Sequence, residues 1–192
     1  MIEDGDPDPV AKTSESATDV DIGFAQDMSA HHQQALMMCG LVPSSARPDV
    51  RGLVNQLEQS QWKEIGQIQG WLQMLDAPLQ GDHPMSWMGV SGGHNHRHSE
   101  GADAPSMPGS PTGDELTRLS SATDVEGEIL FLQLMIRHHQ GAVDMAGEAS
   151  RTAGDPAVRR AAVGMVKSQS EEISVMTVML NQRGGHALPY PV

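Results

Sequence analysis

The chain repeats itself. Asp21-Ile22-Gly23-Phe24-Ala25-Gln26-Asp27-Met28-Ser29-Ala30-His31-His32-Gln33-Gln34-Ala35 returns as Glu128-Ile129-Leu130-Phe131-Leu132-Gln133-Leu134-Met135-Ile136-Arg137-His138-His139-Gln140-Gly141-Ala142, and Met38 matches Met145 at the same offset of 107 residues. Past the next turn, Gln61, Glu64, Ile65, Ile68 and Leu72 correspond to Gln169, Glu172, Ile173, Met176 and Leu180 at an offset of 108. Each half is therefore two segments, and the chain looks duplicated.

All four segments read as helices. Thr18, with Asp21 three residues on, makes a capping-box-like start to the first, which runs to about Leu41 before Pro43. The second opens near Pro48 and carries apolar spacing at Val50, Leu53, Val54, Leu57, Ile65, Ile68, Trp71, Leu72 and Leu75. The third starts around Thr123, with Glu126 as its capping partner, and ends near Gly154; the fourth starts at Asp155-Pro156 and stops at Gly184-Gly185. Short turns make each half an antiparallel hairpin, and two hairpins bury their stripes best as an all-α four-helix bundle. The expected domain spans residues 18–185: repeat 18–76, a crossover 77–120 rich in Gly, Pro, Ser, His and Met, and repeat 121–185. Asp114 to Ser121 suggests a short helical turn within the crossover. Residues 1–17 read as a disordered leader without a targeting signal, and 186–192 as an irregular tail.

Composition narrows the function. Lys plus Arg number 12 against 25 Asp plus Glu, a net charge of −13, which argues against nucleic acid as a partner. No apolar run approaches the ~18 residues of a membrane span. The single Cys39 allows no intrachain disulfide and no Cys-rich zinc module. Against only six aromatics stand 13 Met and 9 His. Leu, Val, Ile, Ala and Met must therefore fill the core, which suits helices.

Helical spacing gathers Met28, His31 and His32 on one patch, because positions three and four residues on lie one turn above the first. Met135, His138 and His139 do the same in the second half. Phe24 and Ala35, like Phe131 and Ala142, extend the stripe, so both patches should face inward. His31 and Gln61 are each roughly 15 residues from their shared turn, and at about 1.5 Å per residue they reach similar heights. Met28 with Glu64, His138 with Gln169 and Met135 with Glu172 align in the same way. The expectation is one polar layer across the core holding four imidazoles, two thioethers, two carboxamides and two carboxylates.

Polar groups are costly to bury unless hydrogen-bonded or coordinated. Soft thioether mixed with imidazole suits copper, Cu(I) in particular; zinc sites normally use His, Cys and carboxylate. Met28, His31, His32, Met135, His138 and His139 are thus the candidate ligands, with Gln61, Glu64, Gln169 and Glu172 behind them orienting the imidazoles. Met38 and Cys39, with Met145 in the other half, could extend the clusters. A second candidate is the crossover, with His83, Met85 and Met88 followed by His94, His96 and His98; short His-rich tracts suggest weak metal capture. Phosphate-loop, His-Glu-x-x-His and Glu-x-x-His motifs are missing from the sequence.

The repeated Phe-x-x-x-Met-x-x-His-His-x-x-Ala-x-x-Met helix, followed by Gln-x-x-Glu-Ile, resembles the domain of unknown function 305 family. The match runs at Phe24 to Met38 with Gln61 to Ile65, and at Phe131 to Met145 with Gln169 to Ile173. The resemblance implies a ferritin-like four-helix bundle exported to the cell exterior or periplasm, and copper binding or resistance for some members. Gly141 replaces Gln34 and Asp144 replaces Met37, so the two repeats differ. The expectation is an exported metal-binding protein that sequesters or chaperones copper, with iron, manganese and zinc left open, and binding rather than catalysis. One alternative is a metal-dependent oxidase using Glu64 and Glu172 as ligands. Another is an interaction module with an inert polar core.

Overall fold

A computed structural model describes residues 17–89 and 107–190. Among them are five helices and no strand: α1 Asp19–Gly40, α2 Pro48–Met74, α3 Gly113–Ser121, α4 Asp124–Thr152 and α5 Pro156–Gln182. The expected four-helix bundle is α1, α2, α4 and α5. The short helical turn expected over Asp114 to Ser121 is α3, a nine-residue helix within the crossover. The expected leader lies outside the described residues apart from its last member.

Local chemistry sets the helix ends. Thr18 caps α1 with a full capping box: Asp21 N–H donates to the Thr18 hydroxyl, and the Asp21 carboxylate accepts from Thr18 N–H at 2.7 Å. Pro48 and Pro156 occupy the first turns of α2 and α5. Gly184, at φ 72°, closes α5, and Gly185 N–H bonds back to the Leu180 carbonyl at 3.1 Å. The start of α4 departs from the expected capping box. Thr123 makes no side-chain cap, because Asp124 takes a left-handed φ of 50° and carries the chain in from a different direction. Asp124 N–H bonds instead to the Ser45 hydroxyl at 3.3 Å.

Two reciprocal locks orient the hairpins. The Asp21 carboxylate of α1 accepts from Asp155 N–H, at the start of α5, at 3.0 Å. Its repeat equivalent Glu128, on α4, accepts from Arg47 N–H, at the start of α2, at 2.6 Å. Each first helix thus grips the N-terminus of the other hairpin's second helix, a favourable place for a carboxylate. These bonds place the start of α1 beside the α4–α5 turn and the start of α4 beside the α1–α2 turn. α1 therefore runs antiparallel to α4, against which it packs. The crossover must climb the length of the bundle.

That path is fixed to α1 and α4. Gln26 donates to the Pro78 carbonyl, and the Asp27 carboxylate accepts from Met85 N–H and Trp87 Nε1–H, all at 2.7 Å. Trp87 lies over Gly23, where a Cβ would meet the indole at 2.7 Å, and meets Phe24 edge to face. Further on, Arg137 holds α3 by a two-pronged bond to Glu115 at 2.6 and 2.9 Å.

The apolar core is in two halves. One, at the α1–α2 turn, contains Ala35, Met38, Val50, Leu57, Phe131, Met135, Met176 and Leu180. The other, at the α4–α5 turn, contains Phe24, Met28, Ile68, Leu72, Ala142, Met145, Val158 and Met165. Every bundle helix passes from one half to the other, and between them lie the buried His31, His32, Gln61, His138, His139 and Gln169.

Candidate metal centre

The four histidines reach one level from two antiparallel helices. His31 of α1 stacks on His138 of α4, with ring centroids 3.7 Å apart and planes 27° apart. His139 lies 6.3 Å from His138 between ring centres. All four imidazoles are at most 1 % exposed.

Their outer hydrogen bonds assign their protons. The His32 ring donates Nε2–H to the Glu64 carboxylate at 2.6 Å, and His139 donates Nε2–H to Glu172 at 2.8 Å. His31 donates Nε2–H to the Pro108 carbonyl at 3.0 Å. A carboxylate and a carbonyl can only accept, so in the neutral form of each ring the remaining nitrogen carries the lone pair. Among the described residues, those nitrogens, Nδ1 of His31, His32 and His139, are buried without a hydrogen-bond partner, as is Nε2 of His138. Groups of this kind ordinarily find partners in a folded interior.

Electrostatics keep the stacked pair neutral. Burial, with the neighbouring His32 and His139 charges, drives His31 down to about 3 despite the Pro108 bond. Burial and the other three imidazoles push His138 well below the ordinary histidine range. Burial acts to raise the Glu64 carboxyl, but the His32 bond and charge, with Ser168 and His139, outweigh it and hold Glu64 below its usual range. The Glu64 carboxylate also accepts from Ser168 at 3.2 Å, joining α2 to α5.

The other candidate residues are distributed as antiparallel packing dictates. Met28 and Met135 fall in opposite halves of the core. Met28 lies with Met145 and Met165 in one half of the core, and Met135 with Met38, Cys39 and Met176 in the other. The sulfur donors of the expected layer are therefore divided between the two halves. Glu64 reaches His32 rather than the level of Met28. The carboxamides of Gln61 and Gln169 lie in the imidazole layer with unpartnered atoms and make no bond to a histidine among the described residues. Cys39 is a buried thiol, pushed up to about 12 by burial and by the Glu58 and Glu172 charges. His83 is exposed, whereas Met85 and Met88 pack on the half containing Met28. His94, His96 and His98 lie outside the described residues. No three His, Cys, Asp or Glu side chains among the described residues stand close enough together to hold an ion by themselves.

The crossover contributes to the site in a way that the repeat does not announce. The Pro108–Gly109 backbone lies on α4 where Gly141 leaves room: a Cβ at Gly141 would overlap the Pro108 carbonyl, and one at Gly109, at φ 73°, would overlap that of Arg137. Ser110 donates to Gln34 at 2.8 Å. The exchange of Gln34 for Gly141 is the signal that could have revealed this contact. Asp144, in the place of Met37, accepts a bond from Tyr190 of the tail.

The sequence profile described as domain of unknown function (DUF305) matches residues 21–180. The chain belongs to the DUF305 family. A crystal structure of a DUF305 protein from Streptomyces coelicolor, named as a candidate secreted protein, superposes with a TM-score of 0.77 at 34 % identity, covering 90 % of this chain and 98 % of that one. A DUF305 fragment from Deinococcus radiodurans gives 0.69 at 30 % identity, covering 86 % and 98 %. CopM in its Cu(I)-bound form gives 0.62 at 24 % identity, covering 86 % and 98 %, and that protein is also solved with Cu(II) and with silver. At that identity, the likeness of this DUF305 chain to CopM is one of fold. No curated protein matches the chain by sequence. Among the described residues, no helix is long and apolar enough to cross a membrane.

Proposed function

We propose that this DUF305 protein is an exported copper-binding protein that sequesters or chaperones the ion, with Cu(I) favoured. One observation carries the reading: four buried imidazoles share a layer, each with a ring nitrogen lacking any partner among the described residues. Thioethers on both sides of that layer add donors that suit Cu(I). His31, His32, His138 and His139 would supply nitrogen, and Met28, Met135, Met38 and Met145 sulfur. Since no three charged or imidazole donors converge unaided, binding would draw in sulfur or turn the stacked rings. Glu64 and Glu172 hold His32 and His139 in the tautomer that presents Nδ1, an outer role that leaves their carboxylates engaged. CopM, of the same fold, is known with copper and silver bound. Export is supported by the naming of the Streptomyces coelicolor relative.

Anaerobic Cu(I) titration against a chromophoric chelator tests this reading. The parent should withdraw Cu(I) from the chelator, and His32→Gln plus His139→Gln should lose that capacity. Glu64→Gln plus Glu172→Gln should weaken it by roughly 10- to 100-fold, the usual cost of losing groups that orient ligands. Equal uptake by the parent and the His32/His139 variant would overturn the assignment.

A further inference from the structure

We propose a second soft-metal site, built of thioethers and separate from the imidazole layer, in which Met85, Met88 and Met107 of the crossover bind a monovalent cation such as Cu(I) or Ag(I). The proposal rests on the copper reading for the class of ion, but not for its donors, which the duplicated motif does not specify.

The duplication supplies an internal control. The two halves of the core have the same packing task, and their rims differ. At the α1–α2 turn the partly buried residues are Leu41, Val42, Val54, Leu116, Ile129 and similar aliphatics, with Met179 as the one methionine. At the opposite end, Met85, Met88 and Met107 pack over a half that already holds Met28, Met145 and Met165. Six of the 13 methionines thus meet on one half of the core. Aliphatics suffice for closure at one end, so closure alone does not call for sulfur at the other.

The seat for these methionines is also specific to one repeat. Gly23, which makes room for Trp87, corresponds to Leu130, and Asp27 corresponds to Leu134. Asp27 is 6 % exposed and accepts from Met85 N–H and Trp87 Nε1–H at 2.7 Å. Met85 is held there at a left-handed φ of 64°, a conformation that a non-glycine residue adopts at a cost. Among the described residues, no cationic side chain pairs with the Asp27 carboxylate. An unpaired buried carboxylate is costly, and it complements a monovalent cation held by neutral thioethers. Unbranched thioethers select soft ions over calcium, magnesium or zinc.

The test uses the full chain, labelled with 13C at the methionine methyl groups, and titrated with Ag(I) as a redox-inert probe. The methyl signals of Met85, Met88 and Met107 should shift together along one saturable curve that accounts for a single bound Ag(I). Native mass spectrometry should show one Ag(I) fewer on Met85→Leu/Met88→Leu/Met107→Leu, a volume-conserving change whose helical circular dichroism is checked in parallel. Motionless methyl signals, or the parent's full Ag(I) count on the leucine variant, would overturn the site. If the leucine variant fails to fold, the methyl shifts of the parent decide. Failure of the imidazole reading looks different: His32→Gln plus His139→Gln would bind as the parent does, while the three rim methyls still move.

Discussion

Glu128 shows how much a single buried carboxylate can organise. Its side chain is 1 % exposed and accepts from Arg47 N–H and from Arg183 Nε at 2.6 Å each, with Arg47 Nε at 3.1 Å. Arg183, also 1 % exposed, reaches Asp49 at 2.8 Å. The Glu128 substitution to Gln would leave the Arg183 guanidinium buried with half its charge compensation gone. Such a loss costs about 3 kcal/mol, to be read as a lower urea midpoint with an unchanged slope. Burial acts to raise the Glu128 carboxyl, but the Arg47 amide and the Arg183 contact outweigh it and hold it below the ordinary range. The Arg183 bond does the same for Asp49. Both groups release their protons more readily folded than unfolded. Their contribution is therefore complete above the unfolded carboxyl range, about 4, and is lost as pH falls through the lowered folded values. A urea series from pH 6 to pH 3 should show a shallower acid loss for Glu128→Gln than for the parent.

At the scale of elements, the crossover is seated by glycine. Gly141→Ala would drive a methyl group into the Pro108 carbonyl and break its bond from His31, at a cost on the order of 1–3 kcal/mol. Gly164, on α5, has open space around it, so Gly164→Ala should instead stabilise by about 0.5–1 kcal/mol through helix propensity. Thermal melts of the two variants should move in opposite directions, and only Gly141→Ala should disturb the amide signals of Gly109 and Ser110. The helices themselves were legible in the sequence, because capping residues, prolines and apolar spacing act within a few residues of where they are read. Thr123 and Glu126 failed as a capping pair for a reason that is not local: Ser45, 79 residues away, takes the Asp124 amide. The crossover contacts left only a fainter trace, the exchanges of Gly23, Asp27 and Gly141 between the repeats, because their partners lie outside the periodic helices.

The four bundle helices follow an approximate twofold relation passing between His31 and His138, and this explains what the sequence could and could not show. Repeat equivalents exchange ends: Met28 and Met38 lie in opposite halves of the core, and so do their counterparts Met135 and Met145. The residue inventory of the polar layer could be read from the repeat, whereas the placement of Met28 and Met135 depended on the sense in which the hairpins dock. That sense is set by the Asp21–Asp155 and Glu128–Arg47 locks, which join residues 134 and 81 positions apart. Because each lock ties one hairpin to the other, neither half should unfold alone. The tryptophans offer a probe, since Trp62, Trp71 and Trp87 all belong to the first hairpin and the segment after it. Tryptophan fluorescence should therefore follow the same urea transition as far-ultraviolet circular dichroism, which reports all the helices. A fluorescence transition displaced from the dichroism would mean that the hairpins are held together by less than the reciprocal locks require.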